Sequence, residues 1–339
     1  MRAPGFTLAA ITALLLGCTG GGSGGERGSA ERVLVVFNAG SLARPMRAAL
    51  DTFAAHEGVR VEQESAGSLE TARKLTELGK VPDLIALADA EVFPRYLMPG
   101  QVDGYVEFAR NRMVLAYTDR SRFAQEMGPD TWWRILLRAG VETGRSDPQL
   151  DPNGYRSMLV WQLAEHHYGE PGLAARLEAA SPPRNVRPKE ADLIGLLQAG
   201  EFDYIWSYES IARAIGLRYV QLPKAIDLSP PDSADSYARA AITVRGARAG
   251  DSVTFRGAPI VYAFAVPREA PHPEWAARFG AFLLSAEGRA ILRREWLDAV
   301  EVPVVRGVRA AWMHTPPDTT RDTVPSTIPD TTSLGGRVR

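Results

Sequence analysis

The sequence predicts an α/β fold that starts on a parallel sheet and continues into a second lobe. Three observations predict it. An apolar strand pattern, a tight turn and a helical pattern follow one another twice near the start of the chain. The turn is the same both times, Ala-Gly-Ser-Leu at 39–42 and at 66–69. At 339 residues, 45% of them hydrophobic, the chain is also long enough for two lobes of ordinary domain size, each with a core.

At the N-terminus Arg2 precedes an apolar run, residues 6–16, and then Gly17-Cys18. This is the build of an export signal, too short to span a membrane as a stable helix. Leu15-Leu16-Gly17-Cys18 resembles a bacterial lipobox, which would remove residues 1–17 and make Cys18 a lipidated membrane anchor outside the cytoplasm; plain secretion is the alternative. Cys18 is the only cysteine, so no intramolecular disulfide is possible. Residues 18–32, rich in Gly and Ser, read as a flexible tether. Residues 309–339 form a tail rich in Thr, Pro and Asp that is expected to be disordered.

Between these ends, residues 33–37 are a buried strand, and Met46, Ala49, Leu50 and Phe53 then recur at helical spacing. Residues 59–64 alternate like a second strand, with a helix over 71–78, and residues 82–88 are a third strand. The two copies of the turn lie one βαβ unit apart, so parallel pairing would set both on the same sheet edge, beyond the strand C-termini where open α/β sheets bind ligands. Residues 111–117 form a strand that leaves the first lobe. The second lobe follows with helices over 132–138, 172–180 and 191–199, strands at 204–206 and 218–220, and a helix from Ile211. The apolar run 259–267 is a strand expected to return to the first lobe, which the helix pair 275–284 and 286–292 closes, with Ser285 as cap. Lobe 1 is thus discontinuous, 33–114 plus 226–308, around lobe 2 at 115–225.

The segment 144–168 holds the chemistry. It is a loop with two Asp-Pro steps opening a helix whose N-cap is Asp151, with Pro152 in the first helical position. A helix N-terminus favours an anion, yet this one carries Asp147 and Asp151. Glu209 follows a strand much as Ser41 and Ser68 do. Each residue taken alone reads more simply: the serines as caps, Asp151 as a cap, Glu209 as a surface turn. If they line one cleft, two like charges about 4 Å apart cost on the order of 4 kcal/mol at an effective dielectric near 20. A sulfate or phosphate receptor would not set acids against its ligand, so the site must hold a proton, a metal cation, or an oxyanion whose central atom accepts ligands. A formal net charge of −1 without long runs of one sign points to no nucleic-acid partner. No nucleophile elbow, phosphate loop, dinucleotide fingerprint or zinc motif is present, and the histidines, His166 and His167 among them, lack metal-ligand spacing.

The ordered motifs 37–42, 66–68, 111–119, 144–148, 151–157, 187–190 and 203–210 resemble those of tungstate/molybdate-binding proteins of ABC importers, in their archaeal-type branch, over residues 33–297. The resemblance implies a two-lobed type II periplasmic-binding-protein fold that closes on one oxoanion, without enzymatic activity or cofactor, as a monomer that hands its ligand to a membrane permease. It further implies a six-coordinate tungsten or molybdenum, with Asp151 and Glu209 as the two carboxylate ligands and Ser41 and Ser68 as hydrogen-bond donors. Tyr237 is a weaker candidate for an oxo hydrogen bond, and Asp147 is assigned no ligand role. Such coordination would offset the charge repulsion, because a high-valent metal accepts carboxylate oxygen where sulfur and phosphorus do not. A receptor for another oxyanion or for ferric ion, or a carboxylate-pair hydrolase, are the alternatives.

Overall fold

The computed structural model describes residues 33–308, so the export signal, the 18–32 tether with Cys18 and the 309–339 tail lie outside the described residues. The chain begins with β1 (Val33–Ala39), α1 (Ala43–Glu57), β2 (Arg60–Ala66), α2 (Ser68–Thr76), β3 (Leu84–Leu87) and β4 (Gly104–Arg110). β1 pairs in parallel with β2 on one side and β3 on the other. In that register Ala39 lies opposite Ala66, which sets both Gly-Ser turns side by side on one edge. α1 buries Met46, Ala49, Leu50 and Phe53, the residues its spacing predicts, and ends at Gly58 in the left-handed region (φ 63°), whose N–H donates to the Ala54 carbonyl.

The chain crosses to the second lobe at residues 111–112. There it forms β5 (Met113–Tyr117), α3 (Trp132–Leu136), β6 (Thr143–Ser146), α4 (Pro152–Tyr168), α5 (Leu173–Ala180), β7 (Val186–Arg187), α6 (Glu190–Ala199), β8 (Tyr204–Tyr208), α7 (Glu209–Ala214) and β9 (Arg218–Gln221). The five strands are ordered β7-β6-β8-β5-β9, with β6 parallel to β7 and β8 and β5 antiparallel to β8 and β9. β5 pairs in this sheet along its whole length. Every residue of β8 is buried, and Trp206 packs edge-on against Trp132 (5.5 Å) and Trp161 of α4 (6.1 Å).

The remaining elements are α8 (Ala234–Tyr237), the hairpin β10 (Ala241–Arg245) and β11 (Ser252–Arg256), β12 (Val261–Ala265), α9 (Pro273–Leu284), α10 (Ala286–Arg294) and β13 (Asp298–Gly307). β12 and β13 complete a six-stranded sheet, β13-β4-β12-β3-β1-β2, so the expected return of the chain to the first lobe is what the structure has. β12 lies antiparallel between β3 and β4, which makes the sheet mixed. Ser285 caps α10, accepting the Gly288 N–H at 3.0 Å.

The hairpin, which the sequence reading passed over, touches both lobes. Phe255 stacks on Tyr155 of α4 at 4.8 Å, and Gln162 of α4 exchanges two hydrogen bonds with Ala241. On the first-lobe side Arg245 pairs with Glu77 at 3.4 Å, and the Tyr96 hydroxyl donates to the Arg245 carbonyl. No described helix is long and apolar enough to cross a membrane.

Candidate functional site

The lobes meet where three helices begin. Asp151 caps α4, its carboxylate accepting the N–H of Asn153 at 3.0 Å and that of Glu190, the first residue of α6. The carbonyl of Leu150, one residue earlier, receives the N–H groups of Leu69 (3.1 Å) and Glu70 (3.2 Å) at the start of α2 in the other lobe. Arg73 of α2 donates to the neighbouring Gln149 carbonyl. The open end of α2 is therefore capped by the loop that carries Asp151. Gly67 permits this approach, since a Cβ there would overlap the Leu150 carbonyl, while its φ of −63° is one any residue adopts.

Asp151 and Glu190 are 6% and 2% exposed, which decides their chemistry. Burial pushes the Glu190 carboxyl up to about 8, the Asp151 charge adding to it while the Ser207 hydroxyl and the Tyr208 N–H (3.0 Å) oppose. Both of those bonds fall on Glu190 Oε1; Oε2 has no partner among the described residues. Burial raises Asp151 to about 6, against its two backbone donors and the charge of Arg156. Arg156 is itself buried, its Nη2 paired with Asp89 at 3.0 Å.

The predicted site residues divide. Ser41 is buried and lines, with Glu190 and Ser210, a cavity of about 160 Å³. Ser68, fully buried, accepts the Ala88 N–H at 3.0 Å. Asp151 caps α4 as described, next to Leu150, whose carbonyl caps the helix that Ser68 begins. Glu209 stands apart: its carboxylate pairs with Arg112 at 3.0 Å and Arg213 at 3.7 Å and accepts the Tyr219 hydroxyl at 3.1 Å. The Tyr237 hydroxyl donates to the Lys224 carbonyl and, at 3.3 Å, to Asp227. Asp147 organises the loop, its carboxylate accepting the Gln149 N–H and its carbonyl the N–H groups of Leu150 and Asp151. The acid that the structure sets beside Asp151 is Glu190. In the sequence it sits within Arg187-Pro188-Lys189-Glu190, and an acid directly before an apolar helical pattern was its signal.

Comparison with known proteins agrees with this architecture. Residues 34–296 match the family described as bacterial extracellular solute-binding protein. An uncharacterized solute-binding protein of Petrotoga mobilis is 43% identical over 80% of this chain and 84% of its own length. The molybdate/tungstate-binding protein WtpA of Pyrococcus abyssi is 38% identical over 88% of this chain and 93% of its own. Among solved structures, the sulfate-binding protein SubI of Mycobacterium tuberculosis superposes with a TM-score of 0.58 at 16% identity, over 79% of this chain and 87% of that one, which speaks to the fold alone. The fold is the two-lobed type II periplasmic-binding-protein fold. The chain belongs to the bacterial extracellular solute-binding protein family, as a binding protein of the ABC-importer type that works outside the cytoplasm and is not an enzyme.

Proposed function

We propose that this protein captures tungstate or molybdate between its lobes and delivers it to an ABC-importer permease, held at the membrane by a lipidated Cys18. The observation that carries the reading is the buried pair Asp151 and Glu190, with Glu190 Oε2 lacking a partner among the described residues. Once ionised, two acids at converging helix N-termini would repel an ordinary oxyanion by several kcal/mol. Tungsten or molybdenum bearing four oxo groups accepts two further oxygen ligands, and those bonds offset the repulsion. On this reading Asp151 and Glu190 complete the six-coordinate metal, and Ser41 and Ser68 donate to its oxo groups. Glu209 keeps its arginines and Tyr237 its Lys224 carbonyl, so neither is a ligand. The 38% identity to a protein named for both anions supports the choice of ligand.

The test is a calorimetric titration of a soluble form, without residues 1–18, using tungstate, molybdate, sulfate and phosphate. Tight binding of the first two with rejection of the others is expected. No response to tungstate or molybdate would sink the reading.

A further inference from the structure

Three helices of this protein close on glycine. α1, α4 and α6 end at Gly58, Gly169 and Gly200, each in the left-handed region, with φ of 63°, 64° and 83°. α10 ends on the same kind of turn without one. The Trp296 N–H donates to the Arg293 carbonyl at 3.0 Å and the Leu297 N–H to the Leu292 carbonyl at 3.0 Å, the pair of bonds that closes a helix around a left-handed residue. That residue is Trp296, with φ 64°. A residue with a Cβ is disfavoured there, and the indole is 48% exposed, so neither its backbone nor its burial accounts for a tryptophan at this turn.

What the position gives the ring is reach to the other lobe. The Arg213 guanidinium, on α7, lies over the Trp296 ring at 4.1 Å from its centroid, well within cation–π range. The turn that carries the ring is held from its own lobe, where Arg44 pairs with Glu295 at 3.3 Å. The cavity of about 160 Å³ lies beside this contact: Glu295, the residue before Trp296, and Ala214, the residue after Arg213, both line it. Ser41 and Glu190 line the same cavity, so it joins the acid pair to the place where tryptophan and arginine meet. The contact is made by one residue from each lobe. Separating the lobes breaks it.

We propose that Arg213 and Trp296 form a clasp between the lobes that slows release of the captured anion. This rests on the function proposed above and adds to it two positioning residues that do not touch the ligand. The clasp stabilises the state in which the lobes are together and contributes nothing once they part, so its loss shifts the balance toward the open state. The left-handed backbone of Trp296 is then the local cost of aiming a large ring across the lobe boundary.

The release rate tests this, measured by loading the chain with radiolabelled tungstate and chasing with an excess of unlabelled tungstate. Arg213→Ala and Trp296→Gly are each expected to speed release about fivefold, the worth of one exposed cation–π contact. The double variant should release no faster than either single one, because both substitutions remove the same contact. Trp296→Gly should also leave the melting temperature of the ligand-free chain level or higher, since glycine suits a left-handed helix end. A purely structural residue would lose stability and grip together. If Trp296→Gly melts low, Trp296→Asn takes its place, as asparagine also tolerates that backbone. Folded variants that release tungstate at the unaltered rate, or single effects that add in the double variant, overturn the proposal. An unaltered chain that retains no labelled tungstate overturns instead the function on which it rests.

Discussion

Glu190 and Glu209 each begin a helix of the second lobe, within motifs of one kind, yet their surroundings are opposite. Glu209 is held by Arg112, Arg213 and Tyr219. Glu190 is buried beside another acid, with one oxygen unpartnered among the described residues. A carboxylate already paired with two guanidiniums has little reason to coordinate a metal, whereas an unpaired buried one is maintained at a cost that a ligand can repay. The contrast teaches that the position of an acid in a motif does not assign its role; its counter-charges do.

The strongest way to break the contrast is to exchange carboxylate for amide at both sites. Glu190→Gln should weaken tungstate about a hundredfold or more, as removal of a buried charged partner does, while Glu209→Gln should change it by no more than about threefold. Calorimetry showing the reverse order would restore Glu209 as the ligand. Asp151→Asn separates cap from ligand on similar grounds. Asn caps helices as well as Asp, so the melting temperature should hold while tungstate affinity falls by a similar factor.

A smaller effect, about tenfold, is expected of Gly67→Ala. Its Cβ would strike the Leu150 carbonyl only when the lobes are together, so the variant should melt normally and bind weakly, with small-angle scattering showing a more open molecule. A compact variant with unchanged affinity would show that the Leu150 contact is not part of closure.

The smallest effect lies in the pH dependence of the ligand-free protein. Both acids have folded pKa values raised above the unfolded ones, from 4.5 to about 8 for Glu190 and from 3.8 to about 6 for Asp151. The native state therefore holds protons that the unfolded chain releases. That contribution to stability is fully present below about pH 4 and is lost as pH rises through 6 and then 8. The melting temperature should decline between pH 5 and 8.5, and Glu190→Gln should remove most of the decline, including all of it above about pH 6.5. An identical slope in that variant would place the titration elsewhere.

Much of the first lobe was legible because its signals are local. The repeated Ala-Gly-Ser-Leu turns, the apolar runs between them and the spacing of Met46, Ala49, Leu50 and Phe53 give β1 to β3 with their helices, and the Ser285 cap separates α9 from α10. β4, β6 and the β10–β11 hairpin were not read, since short or half-polar strands such as Thr143–Ser146 show no clean period. At the site, Asp151 as a cap and Ser41 and Ser68 at strand ends follow from sequence alone. The pairing of Asp151 with Glu190 does not, because it depends on how α4 and α6 are set against each other across 39 residues of chain. The arginines that claim Glu209 are equally invisible there: Arg112 reaches it from the crossing between the lobes.

The place of β12 bears on how the chain comes to exist. This strand lies between β3 and β4, yet it is made only after the whole second lobe. Until residue 265 has emerged, β3 and β4 have no neighbour to join them and their inner edges stay bare. The first lobe must therefore wait for nearly the full length of the chain, and its folding carries the slow closure of long loops. The order of synthesis thus lets the second lobe, whose strands all lie between residues 113 and 221, be complete before the first.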